Sequence, residues 1–160
     1  MSKVLIAYAS KHGCAEECAR ALASKMNTGV DLCNLKENKQ IDLNAYDKII
    51  IGGSIYAGRI LKEVKDFYSK NESELKGKKL GLFICGTSEG EAAKKQVTAS
   101  FPEELLNSAL VKESFGGKID LSKMSFMEKK IIKIVAKVES DMTNVSESVM
   151  DQFVQIMNEA

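Results

Sequence analysis

Short runs of almost continuous apolar residues alternate with longer stretches of helical periodicity along this chain. Residues 4–9 and 79–85 are apolar at nearly every position, which is typical of strands buried on both faces of a sheet. We predict strands at residues 4–9, 30–35, 47–55, 79–85 and 109–115. The spacing of apolar residues predicts helices at residues 14–26, 61–68, 91–100, 125–138 and 147–158, with one more helical turn starting at Pro102.

The alternation of strands and helices predicts an α/β fold with a parallel sheet. Right-handed crossovers place helices on both faces of such a sheet, which gives a three-layer sandwich. Five strands within a single domain spanning residues 1–160 favour the strand order 2-1-3-4-5. In that order a ligand binds beyond the carboxyl ends of the first and third strands, where the strand order reverses. The residues that follow those strands are 10–15 and 54–58.

Composition and charge narrow the range of partners. The net charge is +1, which gives no reason to expect nucleic acid. No apolar run approaches the roughly 18 residues of a membrane span, and the first run is too short for a secretory signal, so we expect a cytoplasmic protein without a transmembrane segment. The cysteines have neither CxxC nor zinc-motif spacing, so we expect reduced thiols and no metal site; they are Cys14, Cys18, Cys33 and Cys85.

The loop after the first strand has the residue types of an anion site. It leads into a predicted helix, whose first N–H groups and dipole favour a negative charge. Ser10 offers a hydroxyl, Lys11 and His12 can add positive charge, and Gly13 lets the backbone approach a phosphate closely. A plain strand-to-helix turn is the alternative interpretation, and the Gly- and Ser-containing loops after the third and fourth strands favour the functional one.

Other phosphate-binding motifs are absent or weak. The sequence has no G-x-G-x-x-G after the first strand and no Walker GK[ST]. Ser54 stands where a response regulator would carry its phosphoacceptor aspartate. Cys14 and Arg20 have the C-x5-R spacing of tyrosine phosphatases, which is a remote alternative because Glu16 and Glu17 would repel a phosphate from such a loop.

Three segments carry a family resemblance. SKHGCA, IGGSIYAG and CGTSEG, at the ends of the first, third and fourth strands, resemble the three loops that hold flavin mononucleotide (FMN) in flavodoxins. Tyr8, Gly13, Ala19 and Leu22 match positions of the flavodoxin signature, whereas Ala15 stands where a threonine usually donates to the phosphate. The resemblance implies a flavodoxin-like sandwich and noncovalent FMN. The cofactor-binding residues that it implies are Ser10, Lys11, His12, Gly13, Cys14, Ala15, Ser54, Ile55, Tyr56, Ala57, Gly58, Thr87 and Ser88.

The resemblance also implies roles for the second and third loops. Tyr56 would stack on the flavin ring, which in comparable systems is worth roughly 1–3 kcal/mol. Gly58 would let the backbone reorient as the redox state of the ring changes. Thr87 and Ser88 would hydrogen-bond the pyrimidine edge of the ring. A surface aromatic residue and an ordinary polar loop are the respective alternatives.

Two further stretches resemble one branch of that family. GGSIYAG and GGKIDLSKMSFMEKKIIKIVAK are similar to the flavodoxin-domain branch that contains the oxygen-independent, menaquinone-linked protoporphyrinogen oxidases. The resemblance implies an FMN-binding protein that transfers electrons to a redox partner protein or a quinone. An FMN-dependent protoporphyrinogen or quinone oxidoreductase is the alternative.

The helix predicted near the C-terminus is rich in lysine. Within residues 126–138 the lysines lie outside the apolar stripe, which a solvated face explains. The alternative is a peripheral contact with anionic lipid, a quinone enzyme or an acidic redox partner. Flavodoxin carriers are commonly strongly acidic, so a net charge of +1 favours a dedicated partner or an enzyme-like role.

Overall fold

The secondary structure follows the predicted alternation of strands and helices. The computed structural model describes residues 3–37, 41–119, 127, 142–143 and 145–160. Its strands are β1 (Val4–Ala9), β2 (Val30–Asn34), β3 (Lys48–Tyr56), β4 (Arg59–Ile60), β5 (Lys79–Cys85), β6 (Val111–Ser114), β7 (Lys118–Ile119) and β8 (Met142–Thr143). Its helices are α1 (Cys14–Lys25), α2 (Lys62–Lys70), α3 (Glu72–Leu75), α4 (Gly90–Ser100), α5 (Glu103–Ser108) and α6 (Glu147–Glu159), with a 3₁₀ turn at Leu43–Ala45.

The main sheet has the predicted topology. Its path is β2-β1-β3-β5-β6, and every neighbouring pair on that path is parallel. These are the five predicted strands in the order 2-1-3-4-5, so that prediction is confirmed. β4 adds a short antiparallel pairing to the end of β3, and β7 pairs with β8 in a separate antiparallel ribbon.

A hydrophobic core lies on each face of the sheet, as expected for a three-layer sandwich. Alternate residues of the fully buried β1 enter the two cores, with Val4, Ile6 and Tyr8 in one and Leu5, Ala7 and Ala9 in the other. Helices α1 and α6 cover the first core, and α2 to α5 cover the second. Burial on both sides explains why β1 is apolar throughout instead of alternating.

Two glycines in β3 make room for neighbours on opposite faces of the sheet. A Cβ on Gly52 would lie 2.1 Å from Cε1 of Phe83, and one on Gly53 would lie 2.6 Å from Cγ2 of Val64. The glycine pair in IGGS therefore belongs to the strand interior, where it lets an aromatic ring and helix α2 pack closely. This packing places the end of β3 firmly beside β1 and β5.

The predicted element bounds hold to within a few residues, and the structure adds several short elements. β4, the β7–β8 ribbon, α3 and the 3₁₀ turn were not predicted, because two- to four-residue elements carry little periodicity. The basic helix expected at residues 126–138 lies outside the described residues except for Met127, which is exposed. In the part of the chain that the structure describes, no helix combines the length and apolar character needed to cross a membrane.

Candidate functional site

The loop between β1 and α1 is held by its own serine and by the neighbouring strand. Gly13 takes a left-handed conformation with φ 93°, which glycine adopts without strain. Ser10 Oγ accepts a hydrogen bond from the Gly13 N–H at 2.9 Å. The Lys11 N–H donates to Ser54 Oγ at 3.4 Å, so the first loop is tied to the end of β3. The structure thus brings together two of the three predicted loops.

The start of α1 can bind an anion through its backbone. The first N–H groups of an α-helix have no carbonyl partner within the helix, and the helix dipole favours negative charge there. Ser10 Oγ accepts from Gly13 and keeps its own proton, so it can still donate to a ligand. The methyl group of Ala15 is fully buried in the core, so this residue has only its amide to offer. The missing threonine hydroxyl therefore leaves the backbone cradle in place.

The second loop is a tight hairpin. Residues Ala57 and Gly58 join β3 to β4 with φ angles of 51° and 79°. Positive φ at both central residues is the signature of a type I′ turn, which matches the twist of the flanking strands. Alanine adopts this conformation rarely, so the turn is strained at Ala57. Tyr56 is the last residue of β3 and is 39% exposed.

Tyr56 lies beside the first loop. The Lys11 ammonium is 4.8 Å from the centroid of the Tyr56 ring, and the His12 ring approaches it edge-on with centroids 6.5 Å apart. A cation at this distance from an exposed ring is worth about 0.5–1 kcal/mol. The aromatic side chain therefore has basic groups next to it, an arrangement that suits a ligand combining a flat ring with an anionic group.

The third loop follows β5 and is fixed by a pair of glycines after β6. The Gly86 N–H donates to the Gly116 carbonyl at 3.1 Å. A Cβ on Gly117 would lie 2.7 Å from the carbonyl carbon of Gly86, so only glycine fits there. Thr87 and Ser88, the predicted residues of this loop, are half-buried.

The second and third loops touch each other through an apolar contact. Cβ of Ile55 lies 3.3 Å from the position that a Cβ on Gly86 would occupy. All three predicted loops therefore lie at the carboxyl ends of β1, β3 and β5, around the point where the strand order reverses. The direct contacts join the first loop to the second, and the second to the third.

Sequence reasoning missed the residues that support the third loop. Gly116 and Gly117 featured only in a family resemblance, yet their backbone packs directly on Gly86. Gln96 of α4 places Oε1 3.2 Å from the Cβ position of Gly86, and that oxygen is buried without a hydrogen-bond partner among the described residues. The adjacent glycines were a usable signal, whereas a glutamine within a helix gave none.

A hydrogen bond joins the first strand to the first helix beneath the loop. The Tyr8 hydroxyl donates to Glu16 Oε1 at 3.0 Å. Burial, with a smaller contribution from this bond, raises the pKa of Tyr8 to about 12. Arg20 Nη2 lies 3.8 Å from the same carboxylate, so Glu16 has one partner on β1 and one on α1.

The geometry does not favour the phosphatase alternative. A C-x5-R phosphatase needs its thiolate and its arginine to face the same bound phosphate. Here Cys14 is buried, and the exposed Arg20 side chain pairs with Glu16 one helical turn before it. These two residues therefore do not form the nucleophile and oxyanion pair of that chemistry.

Three of the four cysteines meet beneath the first and third loops. The sulfur atoms of Cys14, Cys18 and Cys85 all lie within 4.8 Å of one another, and Cys18 Sγ is 3.4 Å from Cys85 Sγ. Hydrogen bonding with Cys14 is the largest cause that raises the pKa of Cys18, to about 12, and that of Cys85 well above its ordinary value. Burial adds to both shifts, so these two thiols stay protonated at neutral pH. The sequence spacing did not predict this cluster.

The fold is that of a doubly wound α/β protein, and its three Gly- and Ser-containing loops lie where the strand order reverses. The sequence profile of the family described as flavodoxin domain matches residues 5–146. The chain therefore belongs to the flavodoxin domain family.

Individual relatives agree with this assignment. A flavodoxin from Maridesulfovibrio salexigens is 34% identical over 97 residues, which are 56% of this chain and 66% of that protein, just under two thirds of its length. Oxidised Flavodoxin 2 from Bacillus cereus is 29% identical with a TM-score of 0.59, covering 86% of this chain and 100% of that chain.

More distant solved structures share the fold. A flavodoxin from Streptococcus pneumoniae has a TM-score of 0.59 at 20% identity, covering 99% of this chain and 97% of that chain. A flavoprotein in complex with FMN from Lactobacillus acidophilus has a TM-score of 0.50 at 17% identity, covering 73% and 92%. At these identities the similarity concerns the fold alone.

Proposed function

We propose that this protein binds FMN noncovalently at the three loops and transfers electrons through it. Membership of the flavodoxin domain family supports FMN as the cofactor. The observation that carries the proposal is the junction of the first two loops, where Lys11 bonds to Ser54 through its N–H and contacts Tyr56 through its ammonium. In this proposal, the groups that bind the phosphate lie beside the surface on which the ring stacks. When bound, the flavin supplies the redox chemistry, and the protein supplies binding and electrostatics.

The first loop holds the phosphate in this proposal. The amides at the start of α1 and the hydroxyls of Ser10 and Ser54 donate to it, while Lys11 and His12 contribute positive charge. Gly13 takes a left-handed conformation and adds no side chain to the loop. Cys14 and Ala15 contribute backbone only, since both side chains are buried.

The second and third loops hold the ring. Tyr56 stacks on it. If the flavin and the Lys11 ammonium need the same face of the Tyr56 ring, the ammonium moves away. Stacking is worth roughly 1–3 kcal/mol, which outweighs an exposed cation contact worth about 0.5–1 kcal/mol. Ile55, Ala57 and Gly58 line the approach to that ring. Thr87 and Ser88, on the third loop, hydrogen-bond its polar edge in this proposal.

A charge substitution at Gly13 tests the phosphate site. Gly13→Asp places a carboxylate next to the phosphate, and like charges about 6 Å apart at an effective dielectric of about 20 repel by about 3 kcal/mol. We expect FMN affinity to fall about 100-fold, and riboflavin affinity, which involves no phosphate, to change much less. Quenching of flavin fluorescence on titration measures both.

Gly13→Asn is the matched control. Asparagine has the same shape as aspartate and tolerates the left-handed conformation equally well, but carries no charge. It should keep most of the FMN affinity. Equal losses of FMN and riboflavin in the Asp variant, or equal losses of FMN in both variants, would contradict the proposed phosphate site.

We propose more specifically that the electrons pass to a redox partner protein or a quinone. The relatives matched at 29% and 34% identity carry the name flavodoxin, which supports a carrier. The protoporphyrinogen or quinone oxidoreductase alternative depends on the sequence resemblance of the second loop and of residues 116–137. Most of that C-terminal stretch lies outside the described residues. We therefore propose the carrier, with a cytoplasmic location as its companion prediction.

A further inference from the structure

The cluster of Cys14, Cys18 and Cys85 combines two elements at the edge of the proposed flavin site. Cys14 and Cys18 are four residues apart and share one face of α1, while Cys85 is the last residue of β5. Their residues are 9%, 2% and 3% exposed, respectively. Two thiols of one helix and one thiol of a strand thus converge in a nearly dry environment, with Cys14 the closest to solvent.

The ligand set consists of sulfur only. Among the described residues, one group of potential metal ligands lies close enough together to share an ion, and it consists of these three thiols. No imidazole or carboxylate belongs to this group. Structural zinc sites close with four protein ligands, and catalytic ones add water as the fourth. A buried three-thiol site suits an ion that is satisfied by three sulfur atoms. Soft ligands of this kind select thiophilic ions.

The spacing between the sulfur atoms of Cys18 and Cys85 fits a pyramidal arrangement. An ion about 2.3 Å from both sulfur atoms, as in zinc thiolates, would form an S–ion–S angle of about 95° across the 3.4 Å between Cys18 and Cys85. That angle is smaller than in planar or tetrahedral coordination. It fits an ion that keeps a lone pair on its fourth side.

Charge favours a trivalent ion. Three thiolates around a monovalent or divalent cation leave a net negative charge in the protein interior, which is costly without a partner. The N-terminal dipole of α1, equivalent to about half a charge, offsets only part of it. Three thiolates around a trivalent ion are neutral, so burial carries no such penalty.

We propose that Cys14, Cys18 and Cys85 form a binding site for a trivalent thiophilic ion, with arsenic(III) as its test case. Arsenite, As(OH)₃, exchanges its three hydroxyl groups for the three thiols. Three S–H and three As–O bonds break, three S–As bonds form, and three water molecules leave. No electrons are transferred and no net proton is released. The site does not depend on the flavin proposal.

The test uses the purified full chain, kept reduced and free of oxygen so that no disulfide forms. Native mass spectrometry with arsenite should detect one arsenic per chain, with the loss of three hydrogens that marks three S–As bonds. Isothermal titration should give tighter binding of arsenite than of Zn²⁺. Cys14→Ala, Cys18→Ala and Cys85→Ala should each weaken arsenite binding at least about tenfold, because the third bond forms within an already bound complex.

Cys33→Ala is the matched control. Cys33 is also buried, at 7% exposed, but belongs to the core on the other face of the sheet. It should bind arsenite as the parent does, and circular dichroism should verify that each variant is folded. The proposal is overturned by an adduct that retains an arsenic-bound hydroxyl, by equal losses in the Cys33 variant, or by tighter binding of Zn²⁺. Should one cluster variant fail to fold, the other two decide the outcome.

Discussion

Tyr56 combines exposure with a position between two loops. Its ring is 39% exposed and next to Lys11, so a flavin can reach it without unfolding any core. Tyr56→Ala should weaken FMN about tenfold or somewhat more, which corresponds to the loss of one stacking partner. Tyr56→Phe keeps the ring and should bind within a few-fold of the parent. Unchanged FMN affinity in the alanine variant would move the ring platform elsewhere, with Ile55 as the next candidate.

Tyr8 shows how burial of one hydroxyl affects stability at alkaline pH. Its pKa is raised from 10.0 to about 12, chiefly by burial and then by its bond to Glu16. Because the folded protein holds this proton more tightly than the unfolded chain, the contribution of Tyr8 to stability is full below pH 10 and is lost as the pH rises towards 12.

Tyr8→Phe tests that contribution. The variant should lose about 1 kcal/mol at pH 7, where the hydrogen bond to the Glu16 carboxylate is present. Above pH 10 the difference between parent and variant should shrink, because the variant has no phenol to ionise at this position. Urea unfolding at a series of pH values measures both effects. The ionisation of the other tyrosines affects the parent and the variant equally and cancels in the comparison. If the difference in free energy of unfolding stayed constant above pH 10, the raised pKa would not belong to Tyr8.

At the scale of elements, the β3–β4 hairpin is the clearest case of local strain. Ala57 occupies a position with φ 51° that glycine or asparagine would adopt more readily. Ala57→Asn should therefore raise the free energy of unfolding by about 0.5–1 kcal/mol. Chemical denaturation in the absence of flavin measures this effect separately from binding.

Gly58→Ala is the opposite experiment on the same turn. Apart from its two neighbours in the chain, no described residue has an atom within 4 Å of the Cβ it would add, so any loss comes from the backbone, which has φ 79°. We expect destabilisation by about 1 kcal/mol. Stabilisation by Gly58→Ala, or destabilisation by Ala57→Asn, would show that the turn does not have the geometry described.

How far the sequence predicts each element depends on how local its signal is. The buried strands and the long helices were predictable because continuous apolar runs and helical stripes persist over six or more residues. The hairpin after β3 was not, since Ala57 violates the residue preference that identifies such turns. The strand through Gly52 and Gly53 was predicted, but the packing that requires glycine there was not, because it depends on Phe83 and Val64 from distant parts of the chain.

The candidate site was predictable in its loop positions but not in the contacts between its loops. Loop positions follow from strand ends, so the first two loops and their meeting point came from the strand pattern, and the resemblance to flavodoxins added the third loop. The contacts between loops did not, because Lys11 with Tyr56 and Ile55 with Gly86 join residues separated by dozens of positions. The thiol cluster is the extreme case, since Cys18 and Cys85 are 67 positions apart and carry no recognised motif.

At the scale of the whole molecule, the sheet has one core on each face and the loops at one end. Residues of β1, β3 and β5 enter both cores, so the strands that end in the proposed flavin loops also connect the two cores. This arrangement predicts that the flavin site and the fold are lost together. It also supports the proposal that residues 1–160 form a single domain.

Urea unfolding with and without FMN tests this coupling. A ligand at 100 times its dissociation constant stabilises the folded state by about 2.7 kcal/mol. With a slope of roughly 1–3 kcal/mol per molar urea, the midpoint should move up by roughly 1–3 M, while the slope itself stays constant because the same surface is exposed on unfolding.

Circular dichroism follows the helices, and flavin fluorescence follows release of the cofactor. The two signals should change in one coincident transition, since both cores share the strands that hold the loops. Release of flavin well before the loss of helix would mean that the loops unfold separately from the sheet. A second transition by circular dichroism alone would contradict the single domain.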